Sequence, residues 1–214
     1  MGDGNVVNQA RNVTGFNSVD VSSALEVFVT QDSTFSVKVE ADNNLQEFIE
    51  VYKEGEVLHV RQANNINLDP SKDIKIYVSA PAFRRFEVSG ASGIRTQNRI
   101  TSTGTFELGL SGACHGELDV KAPKVAVDLS GASNVSLRGE TKDLDIEGSG
   151  SSDIKAFELL AENVTVDISG AGNVEVFASA KLSASASGAS DIKYKGGATV
   201  NSDVSGAGSV KKVD

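Results

Sequence analysis

Catalysis and metal binding need side chains that can ionise, attack or coordinate, gathered in particular spacings. This chain is sparing with histidine and cysteine, the most versatile of them. His59 and His115 are its two histidines and Cys114 its one cysteine. Neither histidine stands in the Cys, Asp or Ser spacing of a metal site or a nucleophile triad. A single cysteine forms no internal disulfide and leaves the redox compartment unread. In its Ser-Gly-Ala-Cys setting, Cys114 reads as a small residue at a packed corner. No G-x-x-x-x-G-K-[ST] phosphate loop occurs. The expectation is therefore no catalytic residue, no cofactor and no dedicated metal centre. One acidic set stands apart: Asp128, Glu147 and Asp167 each precede a serine by two residues. On neighbouring strands they would form either a solvated face or a weak stripe for divalent cations or cationic ligands.

The elements that would position those acids come from an internal repeat. A Ser-Gly-small-small unit recurs seven times, at Ser89-Gly90, Ser111-Gly112, Ser130-Gly131, Ser149-Gly150, Ser169-Gly170, Ser187-Gly188 and Ser205-Gly206. Successive serines lie 22, 19, 19, 20, 18 and 18 residues apart. Before each serine, apolar and polar residues alternate, as in Val125, Val127, Leu129 and in Val164, Val166, Ile168. After it the alternation resumes, as in Val135, Leu137 and in Val174, Val176. Period two means a strand with one buried face. The unit is thus strand, Ser-Gly corner, strand and a looser connection such as Gly139-Glu140-Thr141-Lys142. One such coil cannot bury its apolar face alone, but coils stacked about 4.8 Å apart can.

This predicts an all-β parallel β-helix or solenoid of about seven two-strand coils of 18–22 residues. Crossover chirality favours a right-handed coil, with a left-handed hexapeptide helix as the alternative. The corner glycines are expected at positive φ, where stacked corners leave no room for a Cβ. The leading serines are expected to bond the turn backbone, and Asn134, Asp153, Asn173, Asp191 and Ser209 to tolerate left-handed backbone and bond locally. Stacking also aligns an outward ladder of Arg95, Glu117, Ser136, Lys155, Glu175, Lys193 and Lys211. These faces are expected to lack aromatic residues.

Composition agrees with this reading. Gly numbers 21 and Pro 3 among 214 residues, and Trp is absent, which suits repeated tight turns around a thin aliphatic core. A net charge of −9 argues against nucleic acid and anionic lipid as partners. No apolar run reaches membrane-spanning length. Asn12-Val13-Thr14, Asn134-Val135-Ser136 and Asn163-Val164-Thr165 match the glycosylation sequon, a triplet that arises by chance in such strands.

Three segments follow. Residues 1–10 read as a disordered or vector-derived leader, and residues 83–214 as the Ser-Gly solenoid. Residues 11–82 read as strands that cap or continue the stack, or as a separate small β-sandwich. Gly55 marks a hairpin in that region, Asp42-Asn43-Asn44 begins a short helical turn, and residues 64–70 form a loop.

The Ser-Gly-Ala-Ser/Gly corners, with Arg11-Asn12-Val13-Thr14-Gly15-Phe16 and Glu40-Ala41-Asp42-Asn43-Asn44-Leu45 ahead of them, resemble the auto-transporter adhesin head domain family. That family, also called the head GIN domain, is frequent in Bacteroidetes. The resemblance covers about residues 8–212. It implies a right-handed β-helical fold and an exported protein at the cell surface, outer membrane or periplasm. It carries no binding residue over to this chain. The function expected is a non-enzymatic, adhesin-like binding module working through broad outward faces. Its expected partners are an extracellular glycan or protein, and side-by-side copies of itself. The alternative is a polysaccharide-active lyase or hydrolase built on a β-helix.

Overall fold

The computed structural model describes residues 1–64 and 66–214; Asn65, in the expected 64–70 loop, lies outside the described residues. From residue 85 onward the chain climbs coil by coil. The strands are β8 (Arg85–Gly90), β9 (Gly93–Thr96), β10 (Ile100–Thr101), β11 (Thr105–Gly112), β12 (His115–Gly131), β13 (Asn134–Gly150), β14 (Asp153–Gly170), β15 (Asn173–Gly188), β16 (Asp191–Lys195), β17 (Thr199–Gly206) and β18 (Ser209–Lys212). All pair in parallel, and serine lies beside serine from Ser89 through Ser205. This is a β-solenoid of about seven turns with a mixed-sheet region at its N-terminal end.

Alternation makes the core. Val125, Val127 and Leu129 are buried, and past the corner so are Val135 and Leu137, while Asp128 and Ser136 between them face outward. Phe83, Phe86 and Phe106 stack edge to face at 5.4 and 5.1 Å and fill the interior around the first Ser-Gly coils. Leu182, Ala184 and Ala186 fill it with smaller side chains in the same columns farther along.

At each Ser-Gly corner the glycine is left-handed, with φ from 79° at Gly90 to 111° at Gly170. A Cβ on Gly131 would stand 2.6 Å from the carbonyl oxygen of Gly112 in the coil beneath. That oxygen is already engaged by the amide of Ala132 at 2.8 Å. The corners therefore stack through backbone hydrogen bonds at a separation only glycine allows.

Two parts of the corner reading change. At Ser133 and Ser190 the hydroxyl that bonds the turn belongs to the fourth residue, not the first, whereas the equivalent Ser152 hydroxyl is buried without a partner among the described residues. Ser133 Oγ donates to the carbonyls of Gly112 at 3.3 Å and Ser130 at 3.5 Å, because this side chain points inward and needs a partner there. Ser89 and Ser169 instead reach carbonyls of a neighbouring coil, each at 3.4 Å. Asn134, Asp153, Asn173 and Asp191 are also not left-handed; they open the second strands in extended backbone. They bond between coils: Asn173 Nδ2 donates to Asp153 Oδ1 at 2.8 Å, and Ser209 Oγ to Asp191 Oδ1 at 2.5 Å.

The expected looser connection at Gly139-Glu140-Thr141-Lys142 is tighter than the sequence reading had it. The β13 ladder runs through it, pairing Gly139 with Val120 and Thr141 with Ala122. Gly139, at φ 120°, makes the bend.

The N-terminal region holds β1 (Val6–Arg11), β2 (Ser18–Val21), β3 (Glu26–Gln31), β4 (Ser36–Asp42), β5 (Ile49–Glu54), β6 (Val57–Gln62) and β7 (Lys75–Ala80), with a 3-10 turn at Asn43–Phe48. Its order in space differs from its order in sequence. The coil β2–β3 lies between β6–β7 on one side and β8–β9 on the other, parallel to both. Beyond β6 and β7 the pairing turns antiparallel, with β5 on β6, β4 on β7 and β1 on β4. Val6–Arg11 thus departs from the expected disordered leader, because it closes the edge that β4 would otherwise leave open. Between β2 and β3, Ser22-Ser23-Ala24-Leu25 forms a further corner: Val21 pairs with Val88, which aligns Ser23 with Gly90. Ser23 and Ala24 have φ of 76° and 57°.

A buried polar network ties this cap together. Arg11 donates to the carbonyl and the side chain of Gln46, at 3.0 and 2.9 Å, and Gln46 Nε2 donates to the Val7 and Val39 carbonyls. The buried Asp42 carboxylate accepts from the Gly4 amide at 2.9 Å and from Ser71, through its amide at 2.8 Å and its hydroxyl at 2.6 Å.

Candidate functional site

In-register stacking on either side of the Ser-Gly corners makes the outward positions there into columns. On the strands before the corner, one column runs Asp20, Glu87, Gly109, Asp128, Glu147, Asp167, Ser185 and Asp203. The structure thus sets Asp128, Glu147 and Asp167 on consecutive rungs, about 4.8 Å apart. They stand side by side on an open face. Among the described residues no three His, Cys, Asp or Glu side chains converge as a metal ion requires. Beside them Lys124 pairs with Asp145 at 2.5 Å, which raises the pKa of the ammonium group.

The two histidines lie on either side of the β2–β3 coil. His59 Nδ1 meets Asp20 at 3.2 Å, and the His59 ring stacks on Tyr52 with centroids 5.1 Å apart. His115 Nε2 reaches Glu26 at 3.1 Å, passing over Gly93, whose missing side chain leaves the space. Each histidine is therefore an inter-coil tie. Cys114 is buried and its Sγ lies 3.2 Å from the Ser111 carbonyl. Burial pushes its thiol pKa up, which makes it a poor nucleophile.

On the strands after the corner, Arg95, Glu117, Ser136, Lys155, Glu175, Lys193 and Lys211 form one column. Arg95 pairs with Glu117 at 3.4 Å and Lys193 with Glu175 at 3.8 Å. Towards the cap the column continues into Phe28 and Tyr77, whose rings stack at 5.3 Å. The expectation of faces without aromatic residues is therefore corrected. Phe28 lies on β3 and Tyr77 on β7, and only their non-sequential pairing brings them together.

A third feature had no counterpart in the sequence reading. Where the chain bends between β12–β14 coils, away from the Ser-Gly corners, a groove of about 540 Å³ crosses the stack. Its floor is Ala122, Thr141 and Ala161, in register and buried. One wall is the file Lys121, Glu140, Leu160 and Phe177. Leu160 is 51% exposed. A register shift between Ala156 and Leu160 in β14 turns this leucine outward, as bulges do. The signal in the sequence was slight: Leu159-Leu160 interrupts the alternation.

Comparison with known proteins agrees with this architecture. The family described as "Putative auto-transporter adhesin, head GIN domain" matches residues 15–198. Among curated proteins, none matches this chain. A solved structure from Bacteroides fragilis, described as a putative adhesin, is similar over 99% of this chain and 98% of its own, with a TM-score of 0.92 and 21% identity. A Parabacteroides distasonis structure, also described as a putative adhesin, covers 99% and 98%, with a TM-score of 0.81 and 22% identity. A second from that organism, described as a putative lipid binding protein, covers 100% and 98%, with a TM-score of 0.82 and 20% identity. At these identities the structures share the fold.

Proposed function

The chain belongs to the auto-transporter adhesin head GIN domain family, and on that premise we propose that it is a non-enzymatic, exported binding module. It acts at the cell surface, outer membrane or periplasm and engages an extracellular glycan or protein through outward faces of a rigid rod. The observation that carries this reading is the unbroken register of the outward columns from Ser89 to Ser205. Side chains held at a fixed step on a stiff scaffold suit an extended partner met at many points. Hydrolysis of a glycosidic bond needs two carboxyl groups flanking that bond. Asp128 and Glu147 instead lie beside each other on one open sheet face.

Such contacts are individually weak, so attachment relies on several copies acting together. The test is an array of glycans and extracellular proteins probed with the chain displayed multivalently, beside an assay for polysaccharide turnover. Binding without turnover is expected. Turnover that disappears in Asp128→Asn with Glu147→Gln would replace this reading with the lyase or hydrolase alternative, and binding to nothing on the array would overturn it.

A further inference from the structure

We propose that the groove over Ala122, Thr141 and Ala161 is the module's specific site, and that it takes a neutral oligosaccharide. This rests on the binding reading above and adds to it a location and a ligand class.

The choice of ligand follows from what the groove offers. Its ionic side chains, Lys121, Lys142, Glu140 and Glu162, sum to zero, on a chain whose net charge is −9. Lys121 and Glu140 are joined at 3.0 Å. A strongly charged ligand would have to break that pair or face a like charge on the wall. An extended peptide would need backbone partners, because unpaired amides are costly. The floor has few to give, since the in-register ladder of β12, β13 and β14 already uses its backbone groups.

An acyl chain would find apolar surface at Leu160 and Phe177 and then meet the Lys121–Glu140 end, which it cannot satisfy. A neutral sugar chain matches both parts. Its ring CH faces lie against Leu160 and Phe177, while its hydroxyls meet Thr101, Ser102 and the charged groups as donors and acceptors. The wall file spans five coils from Thr101 to Phe177, about 19 Å at the strand spacing. Several sugar rings fit along that length.

Leu160→Asp and Lys142→Glu test this, since both positions are exposed and neither substitution should move the melting temperature. Streptavidin-tetramerised protein is probed on neutral, sialylated and sulfated oligosaccharides and on phosphatidylcholine vesicles. The expected result is binding to neutral oligosaccharides that falls at least about tenfold in Leu160→Asp and falls in Lys142→Glu. The face variant Lys155→Glu with Lys193→Glu should lower it less than Leu160→Asp does. Glycan binding that survives Leu160→Asp and is lost in the face variant overturns the groove while leaving the broad-face reading intact. Preference for charged glycans, or binding to vesicles alone, overturns the ligand class. Binding to proteins and to no glycan overturns the proposal but not the binding-module reading.

Discussion

Asn173 donates its side-chain amide to Asp153 across one step of the stack, at 2.8 Å, and Asp191 follows on the next step. The column Asn134, Asp153, Asn173, Asp191, Ser209 alternates neutral donors with carboxylates. Each carboxylate therefore has a donor beside it rather than another charge. Asn173→Asp would create three adjacent carboxylates. We expect a loss of about 0.2–1 kcal/mol at low salt, largely recovered at 1 M salt, where the Debye length is about 3 Å. Denaturant unfolding at the two ionic strengths measures it, and a loss independent of salt would mean that the hydrogen bond, not the charge, matters.

Gly131→Val places a branched side chain at φ 90° with its Cβ 2.6 Å from the Gly112 oxygen. Backbone strain and overpacking together should cost about 3 kcal/mol, or about 6–12 °C in melting temperature for a chain of this size. Ala132→Val, one residue along on the exposed side of the corner, serves as the control. A melting temperature for Gly131→Val within a degree or two of the parent would contradict the stacked-corner geometry.

Ser23 tests the same corner from the opposite direction. It occupies the glycine position with φ 76°, a conformation that costs a non-glycine residue about 1–2 kcal/mol. Ser23→Gly should therefore raise the melting temperature by about 2–8 °C. A decrease would mean that the Ser23 side chain makes a contact that outweighs its strain.

The cap should respond to acid before the solenoid does. The Ser71 hydroxyl and amide, joined by the Gly4 amide, hold the Asp42 carboxyl below its ordinary value of 3.8. Its folded pKa is depressed, so its contribution is fully present above 3.8 and lost as the pH falls through the folded value. Protection factors of the amides in β1 and β4, taken relative to the intrinsic exchange rate at each pH, should fall as the pH drops below 3.8, ahead of those in β12–β15. Asp42→Asn should loosen the cap at pH 7 and remove this pH dependence. Equal loss of protection in cap and solenoid would show that another carboxylate governs the transition.

The acidic column should bind calcium at millimolar affinity or weaker, because side-by-side carboxylates on a flat face provide no closed oxygen cage. Titration calorimetry is the measurement. Micromolar binding lost in Asp128→Asn with Glu147→Gln would make the stripe a site, and micromolar binding that persists would place the site elsewhere.

The sequence was most legible where it repeats. The inward columns, the glycine corners and the acidic rungs all follow from aligning Ser89 through Ser205, because stacked equivalents must share an environment. Legibility ended where neighbours in space are not neighbours in sequence. The β2–β3 coil, its Ser22-Ser23 corner and the Phe28–Tyr77 stack depend on a strand order that no periodicity encodes. Ser23 concealed its corner because the local pattern carries serine in place of the glycine that marks the others. The groove was missed for a different reason: it arises from a register shift at Leu160, and alignment on the corners averages such shifts away.

The placement of β2–β3 between β6–β7 and β8–β9 also sets an order of assembly. A solenoid threaded simply would let each coil settle on the one before it as the chain emerges. Here the first coil stays uncovered on both sides until residues 57–96 arrive, so its contacts close over a long stretch of chain and are slow to form. Once β8 and β9 join, a complete template exists, and each later coil adds by local pairing to its predecessor. We therefore expect the chain through β9 to form the rate-setting nucleus and the six later Ser-Gly corners to elongate upon it.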